Sequence, residues 1–541
     1  MQNGLAELLQ LKELLFLEKQ EDLEQYKQMI EQLPLSERRE KGYSWYPVEV
    51  TNSGDTYGDR AFGIVQRDPA KEEPHQFRAG KTVRLFTQQA AVNKPERNGV
   101  IQFVDKNRMK IVLNVQDLPD WLGLGQIGVD LLFDERTYQE MEKALDQLIK
   151  ASNDRLAELR SILLGKANAH FLPSKHPIQI PSLNESQNEA LNCALNAQDI
   201  ALIHGPPGTG KTTTLVQIVQ QLCKTEATVL VTAPSNTAVD LLTERLYETG
   251  LRVLRIGNIS RVDESIIRHT LEMQLSTHPE SKNIKKVKIE AAELRRKARR
   301  FKRKFGREEY QERRNLYREA GELSAWANQL EDRLIQQLID GAQVICATLV
   351  GSAHSVLENR KFRTAIIDEA AQALEPAAWI PILRASKVIM AGDPFQLPPT
   401  VKSVEAERKG FNISLIEKGI QRLEGANLLK TQYRMNEVIM GFSNQYFYDN
   451  QLKASDAVKN WKLDIDQNTP MEFIDTAGCG FEEKVQEAYQ SRYNPDEFKI
   501  LCEHLYQLLE ACSGRELPSI GIISPYREQV EHMKNVIAED P

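Results

Sequence analysis

The feature that most limits the fold is a glycine-rich octapeptide between an apolar run and a helical pattern. Residues 205–212 read Gly-Pro-Pro-Gly-Thr-Gly-Lys-Thr and satisfy G-x-x-x-x-G-K-[ST] at every required position. The run Ala201–Ile203 precedes them, and a helical pattern from Thr212 to Leu222 follows. Such a loop curls backbone N–H groups around phosphate at a helix N-terminus. The alternative is an ordinary glycine turn, which the strand–loop–helix setting disfavours.

The chemistry of this loop predicts ATP and Mg²⁺ as cofactors. Lys211 is expected to reach the β- and γ-phosphates, and the Thr212 hydroxyl can ligate magnesium. The residues predicted to hold the nucleotide here are Gly205, Pro206, Pro207, Gly208, Thr209, Gly210, Lys211, Thr212 and Thr213.

Two later segments have the residues that a nucleotide-hydrolysing site needs. Ala365–Ile367 is an apolar run followed by Asp368 and Glu369. Asp368 is predicted to hold magnesium through water, and Glu369 to orient and deprotonate the attacking water. Taken alone, an apolar run followed by two acidic residues is as often the end of an ordinary strand as part of a catalytic site. Gln396, in a proline-rich loop after another apolar run, is a candidate sensor of the γ-phosphate or else a solvated side chain.

Apolar runs alternate with helical patterns after Pro181, which indicates an α/β fold with a parallel sheet. The predicted strands are 200–203, 229–232, 344–346, 365–367 and 388–390. A second α/β unit is predicted to begin near Gly410, with Ser519–Ser524 as one of its strands.

The remaining segments suggest several smaller parts. Short apolar runs broken by Gly, Asn, Asp and Pro indicate a small β-barrel, and a long helix is expected to lead out of it. The predicted boundaries are 1–40 for an amphipathic helix, 41–133 for the barrel, 134–170 for stalk helices, 171–270 with 339–408 for the first α/β domain, 271–338 for a basic helical insertion and 409–541 for the second domain.

Charge is distributed unevenly along the chain. Lys282–Arg318 holds sixteen Lys or Arg against five Glu, an excess of eleven positive charges, while the whole chain carries −7. The rest of the chain therefore carries −18. A one-signed helical hairpin of this kind favours contact with nucleic-acid phosphates, although a solvated charged face is the usual alternative.

The cysteines and the amino end set further expectations. Six cysteines without a C-x-x-C pair indicate reduced thiols and no metal beyond nucleotide-bound magnesium. No stretch approaches the roughly 18 apolar residues of a membrane span, and the amino end lacks a signal-peptide pattern. We therefore expect a cytoplasmic protein without a membrane partner, acting as a monomer.

The order of motifs over nearly the whole chain resembles superfamily 1B helicases of the nonsense-mediated-decay helicase branch, most closely the immunoglobulin mu-binding protein type. Beside the glycine-rich loop, the matching segments are Leu183–Gln187, Ala233–Asp240, Asp368–Ala373, Gly392–Pro399, Gln432–Met435, Asp475–Gly480 and Ser524–Tyr526.

The resemblance implies two RecA-like P-loop NTPase domains with an inserted β-barrel and helical insertion, and ATP-driven 5′ to 3′ movement on single-stranded or tailed DNA or RNA. Gln187 would read adenine, Tyr433 would stack on the base and Arg434 would reach the γ-phosphate. Contacts with the strand backbone would come from Pro234, Ser235, Asn236 and Thr348, with Tyr526 either stacking on the strand or packing in the core.

The family continues with a motif containing Asp and Gln-Gly and another containing Thr-Arg, and neither occurs before Pro541. We therefore expect the second RecA-like domain to be incomplete and to lack an arginine finger. Two other functions stay open. One is a clamp that binds nucleotide and strand with little hydrolysis, and the other is an ATPase subunit of a repair or defence complex, docked through the amino-terminal helix.

Overall fold

A computed structural model describes residues 2–56, 60–68, 75–89, 95–105, 107–115, 118–123, 126–173, 177–258, 261–299, 306–465, 469–486 and 491–539. The chain forms two compact units, Met1–Lys430 and Thr431–Pro541, and each is described by itself. Among the described residues, no helix combines the length and the apolar composition needed to cross a membrane.

The amino-terminal segment is helical, and its apolar side is buried within the first unit. It consists of α1 (Gln2–Tyr26), a π-helical turn (Lys27–Glu31) and α2 (Leu35–Glu40). Leu8, Leu11, Leu14 and Leu15 of α1 are buried in one cluster with the stalk helices and the large sheet. This face of α1 is therefore used inside the chain and is not available for docking a partner.

The predicted barrel is confirmed as a closed barrel of six strands in the order β1-β2-β5-β4-β3-β6. Its strands are β1 (Ser44–Thr56), β2 (Arg60–Gln66), β3 (Thr82–Thr87), β4 (Glu96–Val104), β5 (Arg108–Leu113) and β6 (Ile127–Leu131). Neighbouring strands are antiparallel, so alternate side chains point inward. Val65, Val83, Ile101, Ile111 and Val129 fill the interior.

Two helices lead out of the barrel where the apolar spacing predicted one. They are α3 (Glu135–Lys150) and α4 (Arg155–Leu163). The break occurs because Asn153 takes a left-handed conformation with φ 54° and the Asp154 carboxylate accepts a hydrogen bond from Ala157 N at 2.8 Å. Asp154 therefore caps a new helix instead of continuing the old one.

The predicted parallel sheet is confirmed, with seven strands in the order β13-β7-β12-β11-β8-β10-β9. The strands are β7 (Ile200–His204), β8 (Val229–Ala233), β9 (Val253–Ile256), β10 (Val344–Thr348), β11 (Phe362–Ile367), β12 (Ala385–Gly392) and β13 (Asn427–Leu428). The helices of this domain are α5 (Glu185–Asn196), α6 (Lys211–Leu222), α7 (Asn236–Glu248), α11 (Glu375–Ile382), α12 (Val404–Arg408) and α13 (Leu415–Arg422).

The first unit extends beyond the boundary at 408 that the sequence suggested. The strand β13 pairs with β7, and Leu415 and Ile416 of α13 are buried against the sheet. Residues up to Lys430 therefore fold with the first unit because they complete one edge of its sheet and cover one of its faces.

The predicted helical insertion is confirmed, and it is built from α8 (Leu271–Thr277), α9 (Ser281–Arg299) and α10 (Arg307–Gly341). Lys288 pairs with Glu331 at 2.9 Å, and Arg295 Nη2 donates to Ser324 Oγ at 2.8 Å. Residues later in α9 thus meet residues earlier in α10, so the two helices form an antiparallel hairpin.

A buried lysine in β12 gives a testable pH dependence. Burial lowers the pKa of Lys387 to about 8, and Lys387 Nζ donates to Leu195 O at 3.2 Å. The folded protein therefore disfavours the charged form below about pH 8, and this cost disappears as pH rises toward the ordinary value of 10.5. We expect the stability of the wild type relative to Lys387→Met to rise between pH 8 and 10.5 in chemical denaturation. A difference independent of pH contradicts this assignment.

The second unit is mixed α/β and smaller. It contains α14 (Glu437–Phe447), α15 (Pro495–Ala511) and α16 (Arg527–Glu539). The strands β14 (Thr431–Gln432) and β15 (Lys453–Ala454) are parallel, and β16 (Lys484–Gln486) and β17 (Ser491–Tyr493) are antiparallel.

One predicted strand of this unit is wrong. Ser519–Ser524 forms no strand, and Ile523 is 94% exposed. A β-branched run adopts a strand only when a neighbouring strand pairs with it and one face is covered. Among the described residues, the segment has neither.

Candidate active site

The parallel sheet brings the predicted catalytic segments to one edge. The glycine-rich loop follows β7, the Gln396 loop follows β12, and Asp368 and Glu369 follow β11. These three strands are adjacent in the order β7-β12-β11, and they run in the same direction. Their carboxyl ends therefore lie side by side, as in other open α/β sheets that bind ligands at this edge.

The glycine-rich loop has no room for side chains where it turns into α6. Gly210 has φ 76°, and a Cβ at this position would lie 2.5 Å from Gln187 Nε2. The Gln187 amide donates to Thr209 O at 2.9 Å, and its carbonyl accepts from Asn184 N at 3.0 Å. Gln187 is 4% exposed and supports the loop from below. The second hydrogen of the Gln187 side-chain amide takes part in neither bond. Contact between Gln187 and adenine stays a prediction.

Lys211 forms the electrostatic centre of the edge. Its Nζ lies 2.6 Å from Glu369 Oε1 and 3.6 Å from Asp368 Oδ1. Lys211 is 9% exposed and Asp368 3%, so these charges interact with little screening by solvent. The structure thus brings Lys211, Asp368 and Glu369 together, as the two separate motifs predicted.

The two acidic residues have different environments. Burial raises the pKa of Asp368, and the nearby Lys211 ammonium opposes that rise. The Asp368 carboxylate also accepts a hydrogen bond from Glu369 N at 2.8 Å. Glu369 has φ 51°, a left-handed conformation that is rare for a residue with a side chain. Such a constraint is typical of sites where the direction of a side chain matters.

The loop after β12 is held by a buried pair. His204 Nε2 lies 3.0 Å from Asp393 Oδ1, and Asp393 Oδ2 accepts from Gln396 Nε2 at 2.8 Å. Asp393 is 1% exposed, whereas Gln396 is exposed. Asp393 therefore holds the tip of the Gln396 side chain within a loop that reaches solvent, and the role of Gln396 as a phosphate sensor stays a prediction.

The residues present fit a nucleotide with magnesium. Gly208, Gly210 and the first turn of α6 offer backbone N–H groups to a phosphate, and Lys211 adds a positive charge that attracts it. The Thr212 hydroxyl and the Asp368 carboxylate are hard oxygen donors of the kind that Mg²⁺ prefers.

The predicted strand-contact residues lie at the same edge, after β8 and at the end of β10. Ser235 caps α7 by accepting from Ala238 N at 3.1 Å. The side-chain oxygen of Asn236 accepts from Arg255 Nη2 at 2.9 Å, so the side-chain NH₂ group of Asn236 takes no part in that bond. Thr348 Oγ1 accepts from Gly351 N at 3.0 Å. Pro234 immediately follows β8, which places these residues in one row along the sheet edge.

A cavity of about 580 Å³ opens beside this row. Gly80 and Gln102 of the barrel line one side, and Asn236, Leu241 and Arg261 line the other. The barrel and the α/β sheet therefore enclose a space next to the predicted strand contacts.

The second unit carries three of the predicted contact residues, Tyr433, Arg434 and Tyr526. Gln432 is fully buried, and its carbonyl accepts from Arg434 N at 2.8 Å and Met435 N at 2.9 Å. This turn leaves the side chains of Tyr433 and Arg434 exposed, as groups that reach a ligand must be. Tyr526 is 46% exposed, which disfavours the core-packing alternative within this unit.

Sequence reasoning missed Arg255, which is 1% exposed and holds the first turn of α7. Its guanidinium donates to Asp240 Oδ1 at 2.9 Å, to Asn236 and to Ile256 O at 2.6 Å. The signal in the sequence was an arginine inside the apolar run Val253–Ile256, because a charge in a buried strand needs a dedicated partner.

Comparison with known proteins agrees with this architecture. Two models described as AAA domain match residues 182–404 and 411–541. The chain is 31% identical to the DNA-binding protein SMUBP-2 of Mesocricetus auratus over 97% of its own length and 54% of that protein's. It is 30% identical to the DNA polymerase alpha-associated DNA helicase A of Schizosaccharomyces pombe over 96% of its length and 81% of that protein's.

A regulator of nonsense transcripts 1 homolog of Drosophila melanogaster is 34% identical over 65% of this chain and 28% of its own length. The chain thus spans about half the length of the SMUBP-2 relative that it matches. The extended match to helicase A and the two domain models together establish the family. The chain belongs to the superfamily 1 helicases, in the branch that contains SMUBP-2 and the regulator of nonsense transcripts 1.

Proposed function

We propose that the chain is an ATP-dependent motor that hydrolyses ATP to move 5′ to 3′ along single-stranded DNA or RNA and to separate tailed duplexes. The observation that carries this proposal is the contact of 2.6 Å between Lys211 Nζ and Glu369 Oε1 at the sheet edge. It joins the phosphate-binding loop to a carboxylate that is able to act as a base, which a purely nucleotide-binding protein does not need.

The residues at the edge divide the work of hydrolysis. Bound ATP with Mg²⁺ supplies the phosphoanhydride bond that is cleaved and the charge that offsets its oxygens. A phosphate oxygen would draw the Lys211 ammonium away from Glu369. The released carboxylate would accept a proton from the water that attacks the γ-phosphorus, as the bond from that phosphorus to the β-phosphate oxygen breaks. Thr212 and Asp368 would hold Mg²⁺, and Gln396 would sense the γ-phosphate. Tyr433 and Arg434, which are exposed in the second unit, would supply base-stacking and phosphate contacts.

The nucleic-acid partner is supported by the surface of the first unit. The row 234–236 with Thr348 offers small polar groups to a strand backbone, beside the cavity under the barrel. The helical hairpin adds exposed cations, and α10 also exposes Tyr310 and Trp326, whose rings can stack on bases. Among the relatives, two are named as DNA-binding or DNA-helicase proteins and one as a regulator of nonsense transcripts, so the proposal includes both DNA and RNA.

The hairpin can be tested by salt dependence. Lys286, Arg296, Lys297 and Arg314 are exposed on α9 and α10. Replacing all four with Gln should flatten the plot of log affinity against log salt by up to about 0.7 per lost phosphate contact on single strands. Fluorescence anisotropy with labelled DNA and RNA strands at several salt concentrations measures the slope.

The matched control replaces four exposed lysines elsewhere in the first unit, Lys41, Lys150, Lys166 and Lys224. Both variants lose four positive charges, so a general effect of net charge lowers both slopes equally. Equal slopes for the two variants would show that the hairpin is only a solvated face.

The proposed function is tested by ATP turnover with and without single strands, followed by strand displacement on DNA and RNA duplexes with 5′ or 3′ tails. We expect turnover to be stimulated by strands and displacement to require a 5′ tail. Tight strand binding without stimulated turnover would favour the nucleic-acid clamp. Turnover that appears only with a co-purifying protein would favour a subunit of a larger complex.

A further inference from the structure

A carboxylate of α1 binds the backbone just beyond the Gln396 loop. Glu18 accepts from Lys402 N at 2.9 Å and 3.0 Å through its two oxygens, and from Ser403 N at 2.8 Å. Glu18 is 2% exposed. The residues that meet here are separated by more than 380 positions in the chain, so the contact is purely tertiary.

The Glu18 carboxylate fixes the backbone of Lys402 and Ser403 through hydrogen bonds, in addition to the apolar packing of α1. The leucines of α1 already fill the core beside the sheet, and a buried charge costs free energy unless strong donors satisfy it. Here two consecutive backbone N–H groups do so, and charge-assisted bonds of this kind are stronger than neutral ones. Asp22, one turn further along α1, forms an ion pair with Lys402 Nζ and accepts from Tyr138 OH of α3 at 2.8 Å.

The segment that Glu18 holds is stiffly joined to Gln396. Only five residues separate Gln396 from Lys402, and two of them, Pro398 and Pro399, have a fixed φ. Val401 packs against the core, and Ser403 caps α12 by accepting from Ala406 N at 3.2 Å. The position of Lys402 therefore restricts where Gln396 lies.

The other end of the connection is the barrel. The helix α1 runs antiparallel to α3, because Lys19 pairs with Glu142 at 3.0 Å whereas Asp22, later in α1, meets Tyr138, earlier in α3. In turn, α3 begins at Glu135, four residues after β6 of the barrel ends at Leu131. A continuous path of helices and side-chain contacts thus leads from the barrel through α3 and α1 to the loop that carries Gln396.

We propose that Glu18 is a positioning residue that couples the barrel and its stalk to the Gln396 loop. When a strand shifts the barrel, α3 and α1 transmit the shift to Lys402 and Ser403, and Gln396 changes position relative to the nucleotide. The coupling rests on the proposed function, whereas the tether itself is a property of the folded first unit.

The test uses three variants of the full chain. Glu18→Gln keeps the shape and removes the charge, so an amide NH₂ faces the backbone donors. Glu13→Gln is the matched control, since Glu13 is an exposed glutamate on the same helix. Ser403→Ala removes the hydroxyl that caps α12 but leaves the backbone N–H that Glu18 binds.

The first measurement is hydrogen–deuterium exchange of residues 392–403 without ligands. We expect exchange at least about threefold faster in Glu18→Gln than in the wild type, because local opening is limited by the bonds that hold a segment. Glu13→Gln should match the wild type. Unchanged exchange in Glu18→Gln would overturn the tether, whatever the protein's activity.

The second measurement is ATP turnover. Glu18→Gln should lower strand-stimulated kcat about three- to tenfold, the range expected for a residue along a coupling path. The KM for ATP should stay within about twofold of the wild type, because Glu18 itself lies outside the nucleotide edge, and unstimulated turnover should fall less than stimulated turnover. Ser403→Ala should keep wild-type stimulation.

Two results would overturn the coupling while the tether stands. One is wild-type stimulation in Glu18→Gln, and the other is an equal loss in Ser403→Ala, which would assign the effect to the stability of α12. If strands do not stimulate the wild type at all, the proposed function fails and the coupling with it. The exchange experiment separates that case from a failure of the tether.

Discussion

Glu369→Gln is expected to bind ATP as tightly as the wild type and to hydrolyse it about 10²- to 10⁴-fold more slowly, the usual contribution of a general base. The amide keeps the length and shape of the side chain but cannot accept the proton of the attacking water. It also loses the charge that contacts Lys211 at 2.6 Å, which leaves the ammonium free for phosphate. The retained shape gives no reason for weaker binding, and any gain in ATP affinity would come from the freed Lys211 ammonium.

The measurements are equilibrium binding of a fluorescent ATP analogue and strand-stimulated phosphate release. Glu189→Gln, an exposed glutamate on α5, is the matched control and should behave as the wild type in both. Wild-type turnover in Glu369→Gln would remove this residue from the mechanism. Loss of ATP binding in the same variant would instead assign Glu369 a structural role in shaping the edge.

Lys211→Ala is expected to weaken ATP binding by about 30-fold or more, since truncating a hydrogen-bonded partner of a charge costs 2–5 kcal/mol. Turnover should fall with binding. The variant should also melt at a lower temperature without nucleotide, because Asp368 is 3% exposed and would be left without its nearest cation. This double effect distinguishes Lys211 from a residue that only touches ligand.

Calorimetric titration with ATP and Mg²⁺ and thermal unfolding without ligands measure the two effects. Lys224→Ala, at an exposed lysine just beyond the end of α6, is the control for loss of one positive charge. Unchanged affinity in Lys211→Ala would contradict the assignment of the glycine-rich loop. A loss of ATP affinity without any change in melting temperature would show that the ion pair between Lys211 and Asp368 does not contribute to the stability of the fold.

The local motifs could be predicted from the sequence because each is short and is defined by one kind of chemistry. The octapeptide 205–212 needs a strand before it and a helix after it, and β7 and α6 are those elements. Asp368 and Glu369 at the end of an apolar run likewise required a strand that ends at an edge. The five predicted strands of the first domain and the basic hairpin followed from apolar spacing and charge in the same way.

Elements that depend on partners distant in the chain could not be predicted from the sequence. Ser519–Ser524 has a strand-like pattern but no neighbouring strand among the described residues, so propensity alone was a poor guide. The strand β13 is only two residues long and exists because β7 offers it an edge. Arg255 stood out as a charge inside an apolar run, but its partners Asp240 and Asn236, like the partners of Glu18, could be identified only from the tertiary structure.

The sequence by itself determined the chemistry of the nucleotide edge, because a phosphate loop and a strand-end carboxylate are defined by residues that are neighbours in the chain. Only the tertiary structure decided how these parts meet. The strand order β7-β12-β11 places Lys211 against Glu369 although the two are far apart in the chain, and the packing of α1 brings Glu18 to Lys402. Such contacts depend on the order of the strands and on which helices cover the sheet. Both are determined by the burial of many apolar side chains together.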